Sequence, residues 1–242
     1  MEPLPPLPSV GRTFRSSRRI RLSDRGPDGR LRLDAVASYL QDIASDDVDE
    51  TGWGAPEHLW VVRSIRIDVL APPVEDDRVE LTTWSSGRAS IAAARRMSLA
   101  GDRGGRVELD SVWIHLGRDA RPARIEDFDI YAESAGDRAV STRLELRAPD
   151  HGAKRTAWPL RTTDLDVLGH VNNAAYWHAV EHRLPEAGID LRRPFRARLD
   201  YRHPLDLGDR VDLLEEVGDG TLALAFTVGG QERAVAFVEQ LG

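Results

Sequence analysis

The chain has no cysteine, and that absence alone removes disulfides, thiolate nucleophiles and thiolate-ligated zinc or iron–sulfur centres. Any hydrolysis it performs must draw on carboxylate, imidazole or water. Lysine is almost missing too: Lys154 is the one lysine among 33 basic residues, which reads as genomic base composition rather than selection for guanidinium chemistry. A basic excess is also lacking. The net charge of −7 and a pI near 5.5 exclude a general nucleic-acid binder. No run approaches the roughly 18 apolar residues of a membrane span. The start, Met1 to Val10, is proline-rich, without the charged and apolar regions of a secretory signal. These absences lead to the expectation of a soluble, cytoplasmic protein with no membrane span. At 41% hydrophobic residues, the 242-residue chain can fill a core, in one large domain or two small ones.

What is present decides between those two. Arg66 to Leu81 recurs without a gap 132 positions later, at Arg198 to Leu213. Arg66, Asp68, Pro72, Asp77, Arg78, Val79 and Leu81 meet Arg198, Asp200, Pro204, Asp209, Arg210, Val211 and Leu213. A duplicated unit of about half the chain explains this better than chance. Both copies alternate charged and apolar residues, over Arg66 to Val69 and Arg78 to Leu81, and over Arg196 to Tyr201 and Arg210 to Leu213, predicting half-buried antiparallel strands. Arg88 to Leu99 and Arg106 to Leu116 read as further strands around Gly101 to Gly105, and Thr221 to Val228 and Arg233 to Val238 around Gly229-Gly230. One helix precedes each set. The first carries the stripe Val36, Ala37, Leu40, Ile43, Ala44 and Val48, with Asp34 as N-cap and Gly52 as stop. The second starts at Asn172 or Asn173, carries Tyr176, Ala179, Val180 and Leu184, and ends near Pro185 to Gly188. The expected class is α+β, each half a curved antiparallel sheet wrapped around one long helix. The expected units are 1–135 and 150–242, joined by a polar linker over Ala132 to Ala153 in which Thr142 to Leu146 is strand-like.

Chemistry concentrates in Asp164-Leu165-Asp166-Val167-Leu168-Gly169-His170-Val171-Asn172-Asn173-Ala174-Ala175-Tyr176, between a strand at about Arg155 to Thr162 and the second helix. A carboxylate and an imidazole bracket a glycine just before a helix N-terminus. The N–H groups near Val171 to Ala174 are placed there to polarise a carbonyl. Asp166 can serve as general base or nucleophile, and His170 can orient or protonate a leaving group. Asn172 and Asn173 also read as helix caps and Tyr176 as core packing. His178 and His182 have metal-pair spacing but no third ligand, so no metal is expected. Asp42, Asp46, Asp47, Asp49 and Glu50 read as a solvated helix face, one member of which could reach the site from the other half.

The series Asp164-Leu165-Asp166-x-x-Gly169-His170-Val171-Asn172-Asn173-x-x-Tyr176 resembles the signature of hotdog-fold thioesterases, most closely the acyl-acyl-carrier-protein thioesterases. Tyr39-Leu40-Gln41-Asp42, Thr51-Gly52-Trp53-Gly54 and Leu59 to Arg63 resemble the first half of those enzymes. The resemblance implies a tandem double hotdog that hydrolyses fatty acyl thioesters of acyl carrier protein (ACP) or CoA with water and no cofactor. It implies Asp166 and His170 as catalytic residues, and Leu168, Gly169, Val171, Asn172, Asn173 and Tyr176 as substrate-binding ones. Two departures stand out. Leu168 replaces an Asn of the plant-type enzymes, and Tyr201-Arg202-His203-Pro204-Leu205 lacks their acidic residue. Three outcomes stay open: Asp166 and His170 suffice, His203 or Asp206 substitutes, or activity is weakened or lost. An acyl-CoA thioesterase, a silent acyl-binding protein and a hydroxyacyl dehydratase are the competing readings. Arg12 to Arg21 and Arg192 to Arg198 are the candidate docking patches for the acidic carrier. The fused halves supply an internal pseudo-dimer, so a monomer is expected to suffice, with further homodimerisation open. The matching loop of the first half, Ser23 to Arg30, has neither His nor Asn, so the chemistry is expected in one copy alone.

Overall fold

The computed structural model describes residues 3–52, 59–150 and 152–242; Trp53 and Gly54 of the resemblance lie outside them. The first half runs β1 (Phe14–Arg19), α1 (Leu33–Thr51), β2 (Leu59–Ala71), β3 (Arg78–Arg88), β4 (Ala92–Gly101), β5 (Arg106–Leu116) and a short α2 (Asp129–Ala135). The second runs β6 (Lys154–Trp158), α3 (Tyr176–Arg183), β7 (Phe195–Tyr201), β8 (Val211–Gly218), β9 (Thr221–Val228) and β10 (Gln231–Gln240).

All ten strands form one sheet in the order β1-β3-β4-β5-β2-β7-β10-β9-β8-β6. Read outward from the centre, each half repeats the same sequence of strands, so the halves are joined edge to edge by the antiparallel pair β2–β7. The repeated arginines Arg66 and Arg198 face each other in that register. Their neighbours show how the copies diverged. Asp68 accepts the Nε and Nη2 N–H groups of Arg196 at 2.6 and 2.7 Å, whereas its counterpart Asp200 stands opposite Ser64. Asp200 instead accepts the N–H groups of Glu145 and Leu146 at 3.0 and 2.9 Å, tying down the chain between the halves.

One face of the sheet carries α1 and α3, which pack against each other beside that junction. The core there is continuous across both halves, with Leu40, Ile43, Ile67, Met97, Trp177, Leu199 and Phe226 buried together. Fully burying a side chain of this kind stabilises by about 1.5–3 kcal/mol, so the shared core is what makes two repeats one body.

Several boundaries depart from the sequence reading. Arg88 to Leu99 is not one strand: the chain turns over residues 89–91, where Ala89 N–H reaches the Ala92 carbonyl at 2.7 Å. The first strand of the second half stops at Trp158, because Pro159 withholds a ladder donor. Asp34 is not the N-cap; Arg32 holds that position, and Asp34 sits in the first turn facing Arg32. Gly52 does end α1 in the left-handed conformation, at φ 67°. The helix of the second half, α3, begins at Tyr176 rather than Asn172 or Asn173. Thr142 to Leu146 forms no strand, and the N-terminal part of the expected linker belongs to α2, whose Tyr131 and Ala135 pack with Phe128.

Candidate active site

The loop that carries the chemistry is built twice with the same hydrogen bonds. In the first half Gly26 N–H reaches Arg30 O, Gly29 N–H reaches Gly26 O, and Arg32 N–H reaches Asp24 O. In the second, Asp166 N–H reaches His170 O at 2.8 Å, Gly169 N–H reaches Asp166 O at 3.1 Å, and Asn172 N–H reaches Asp164 O at 2.7 Å. Both tips need a glycine for left-handed backbone, Gly29 at φ 81° and Gly169 at φ 80°. What differs is the side chains: Gly26, Arg30 and Arg32 in one copy stand where Asp166, His170 and Asn172 stand in the other.

Asp166 is half-buried, and its Oδ1 accepts the N–H groups of Leu168 and His170 at 2.8 and 3.2 Å. Among the described residues its Oδ2 makes no hydrogen bond, so one carboxylate oxygen fixes the loop and the other is left without a partner. His170 Nδ1 lies 2.7 Å from Asp206 Oδ1. A carboxylate only accepts, so Nδ1 carries the proton of this contact. Asp206 is itself held by Asp209, whose carboxylate takes the Asp206 N–H at 3.0 Å. The same turn in the first half joins Val74 to Asp77, with an apolar residue where the second half has Asp206. His203, the other residue considered in place of the missing acid, is exposed and makes no side-chain hydrogen bond among the described residues.

Of the four N–H groups expected as donors, three have partners. Val171 bonds Leu205 O, Asn172 bonds Asp164 O, and Ala174 bonds Asn172 Oδ1 at 2.8 Å. That last contact is the cap, and it makes a separate turn before the α-helix starts. Asn173 N–H is left without a partner among the described residues. The Asn173 carbonyl takes the Tyr201 hydroxyl at 2.8 Å, and Tyr201 in turn takes the Trp177 indole N–H at 3.2 Å. Tyr176 stacks edge-on against Tyr201 and Phe226. Burial pushes both phenols up from their ordinary value, so Tyr201 serves as a hydrogen-bond donor and Tyr176 as packing, and neither as a base.

Beside this turn lies a cleft of about 250 Å³ between the halves, lined by Ser38, Gln41 and Asp42 of α1 and by Thr163, Asp164, Asn172, Ala174, Ala175 and His178. Gln41 and Asn172 exchange amide hydrogen bonds across it at 3.2 and 3.4 Å. At the repeat-equivalent place, Glu181 grips the buried Arg30 and the Leu33 N–H, so the first copy is closed by a part-buried ion pair. A polar chain runs along the cleft rim. Arg32 holds Asp34, Asp34 lies 3.3 Å from His178 Nε2, His178 Nδ1 lies 3.2 Å from Arg161, and Arg161 holds Asp164. Burial pushes the Asp34 carboxyl up, but hydrogen bonds from His178 and Arg32 outweigh it and bring it down to about 2. An unfolded Asp titrates near 3.9, so this ionised carboxylate stabilises the fold above about pH 4. That contribution fades as pH falls through about 2. Asp34→Asn is therefore expected to lose less stability between pH 4 and 2 than the parent, read from urea unfolding at each pH.

The structure brings Asp166, Gly169, His170, Val171, Asn172, Asn173 and Tyr176 into one neighbourhood, but Asp166 and His170 do not line the cleft. Leu168 is 48% exposed at the loop tip beside the fully exposed Val167. His178 and His182 go to different partners, His182 lying 5.8 Å from the Trp158 ring. Among the described residues no three His, Asp or Glu side chains form a metal site. Gln41 and the Asp34–His178 contact were missed as site features. Their signal in the sequence was divergence between the copies: Gln41 against Glu181, and Ser38 against His178.

Comparison with known proteins places the chain. The family described as Acyl-ACP thioesterase N-terminal domain matches residues 11–133, and Acyl-ACP thioesterase C-terminal domain matches residues 147–235. An uncharacterised protein of Mycobacterium tuberculosis is 30% identical over 97% of this chain and 94% of its own length. Oleoyl-acyl carrier protein thioesterase 1 of Arabidopsis thaliana, a chloroplastic protein, is 23% identical over 86% of this chain, which spans 65% of that protein. Among solved structures, an acyl-ACP thioesterase from Bacteroides thetaiotaomicron superposes with a TM-score of 0.79 at 16% identity, covering 94% of this chain and 97% of that one. The 12:0-ACP thioesterase from Umbellularia californica gives 0.78 at 22% identity, covering 95% and 97%. At such identities the structural likeness shows the fold, a double hotdog. With both family regions matched in order along most of its length, the chain belongs to the acyl-ACP thioesterase family.

Proposed function

We propose that this protein hydrolyses fatty acyl-ACP thioesters to free fatty acid at the Asp166–His170 loop. The observation that carries the reading is the company these residues keep in a member of this family: an Asp166 carboxylate oxygen and an Asn173 N–H without partners among the described residues, and a His170 fixed by Asp206. The thioester carbonyl accepts the Asn173 N–H, which stabilises the developing oxyanion. Asp166 Oδ2 takes a proton from water as its oxygen bonds to the carbonyl carbon. The carbon–sulfur bond breaks, and the departing sulfur takes its proton through the imidazole of His170, which Asp206 holds in place. Asp206 thus takes the place of the family's missing acid, and Leu168 leaves Asp166 without the neighbouring Asn of the plant-type enzymes.

In this reading residues 1–135 form the first hotdog unit and 150–242 the second, with Leu168, Gly169, Val171, Asn172, Asn173 and Tyr176 shaping the binding surface around the loop. The first unit acts as scaffold and supplies one wall of the cleft. The fused pair serves as its own dimer, so a monomer is active. ACP meets exposed arginines that have no ion pair among the described residues, Arg15, Arg19 and Arg21 or Arg192 and Arg193. Arg12, Arg18 and Arg196 of the same runs are occupied by acidic partners. No helix among the described residues is long and apolar enough to cross a membrane. The proposed compartment is the cytoplasm. The test compares one acyl chain on ACP and on CoA, with thiol release as the readout. At least about tenfold higher kcat/KM for the ACP thioester is expected, about 1.4 kcal/mol of added transition-state binding. Equal values would remove ACP as the preferred carrier.

A further inference from the structure

The sheet face turned away from α1 and α3 carries charge where the two halves join. On β2, Arg66 and Asp68 alternate with Ile65, Ile67 and Val69, and on β7, Arg196 and Arg198 alternate with Phe195, Ala197 and Leu199. The apolar set fills the shared core, so the charged set faces the other way. Arg66 and Arg198 are register partners, two like charges directly opposite each other. In the first copy Arg66 is offset by Asp68, two residues along, at 3.0 and 2.7 Å. The repeat-equivalent carboxylate, Asp200, gives its Oδ2 to the Glu145 and Leu146 N–H groups instead. The strap between the halves has taken the carboxylate that would have served Arg198. Arg198 is half-buried, makes no hydrogen bond or ion pair among the described residues, and lies 5.4 Å from the centre of the Phe237 ring, with its Nε buried and unpartnered. A buried donor in that state carries a cost that a bound acceptor would remove.

Beside this arginine pair lies a cavity of about 300 Å³, lined by Arg66 and Arg196 and by the apolar Pro3, Leu4 and Leu70. Its two carboxylates are already engaged: Asp68 is shared by Arg66 and Arg196, and Glu108 by Arg96 and Arg106. The guanidinium groups of Arg66, Arg196 and Arg198 thus gather around one shared carboxylate, with Glu239 3.7 Å from Arg196. We propose that this outer-face cavity binds a small monocarboxylate with a short apolar tail. Its carboxylate takes on Arg198 the place that Asp68 takes on Arg66, and its tail lies against Pro3, Leu4 and Leu70. A planar carboxylate matches the guanidinium fork, and the apolar wall favours a tail over a bare inorganic anion. The site needs both halves, since Arg66 comes from one and Arg198 from the other. It uses no residue of the Asp166–His170 loop, so the proposal stands whether or not that loop releases a fatty acid.

The test is calorimetric titration with butyrate and with neutral butyramide, at fixed ionic strength. The parent protein is expected to bind butyrate at least about tenfold tighter than butyramide, a margin set by one or two charge-assisted hydrogen bonds. In Arg198→Gln and Arg198→Met that preference is expected to fall about tenfold. Arg124→Gln, which removes an exposed arginine elsewhere, should keep it. Folding is checked in the same proteins by urea unfolding. Arg198 gives up no hydrogen bond or ion pair, so both variants should unfold near the parent midpoint without ligand. Butyrate should raise the midpoint of the parent and not of the Arg198 variants. A parent protein that does not distinguish the two ligands would overturn the proposal. Arg198 variants that keep the preference would overturn it too, as would an Arg124→Gln protein that loses it to the same extent, because the attraction would then be to net charge.

Discussion

Asp166→Asn is expected to cut kcat for acyl-ACP hydrolysis by about two or more orders of magnitude, the usual scale for losing a general base. The substitution is chosen for what it keeps. Oδ1 of Asp166 holds the loop through the Leu168 and His170 N–H groups, and an Asn carbonyl oxygen can accept both. The charge at Oδ2 is what disappears, so the melting temperature should stay near that of the parent while turnover collapses. An Asn variant with parental kcat would make Asp166 a turn residue and nothing more.

His170→Ala should lose about a hundredfold in kcat, and Asp206→Asn about tenfold, since the second removes one charge-assisted hydrogen bond of about 1.5–3 kcal/mol and leaves the imidazole in place. Exposure separates this from a structural effect. The His170 and Asp206 side chains are 45% and 62% exposed, and solvated pairs contribute about 0–1 kcal/mol to folding. Neither substitution should shift urea unfolding measurably. Because the two residues act through one contact, the double variant should be no slower than His170→Ala alone. Additive losses would mean that Asp206 acts independently of the imidazole.

What the sequence disclosed depended on the range of the interaction. The repeat at Arg66 and Arg198 made the pseudo-twofold sheet legible, and the two arginines do face each other at its centre. The α1 stripe and the Gly52 stop were legible because they depend on neighbouring residues. The turn at 89–91 was not, since Ala89, Ser90 and Ile91 carry no glycine or proline to mark it. The seven residues of α2 are too few to show a period. The strap over Thr142 to Leu146 looks like a strand locally, but its N–H groups go to Asp200, 54 and 55 positions away. At the site, the loop and its Asp and His could be read directly, whereas the start of α3 was misplaced because Asn172 caps a turn of its own. The Gln41 contact crosses 131 positions and has no local signal. Aligning the copies residue by residue would have marked both Gln41 and Asp206 as places where the halves disagree.

The central claim is that this loop directs water onto a fatty acyl thioester, and steady-state hydrolysis of an acyl-ACP series tests it most directly. Purified protein would be incubated with ACP carrying saturated chains of increasing length, and free fatty acid and ACP thiol measured together. The account predicts equimolar release of both for at least one chain length, without added cofactor, and its loss in Asp166→Asn. Tight binding of acyl-ACP with no acid released at any chain length would contradict it.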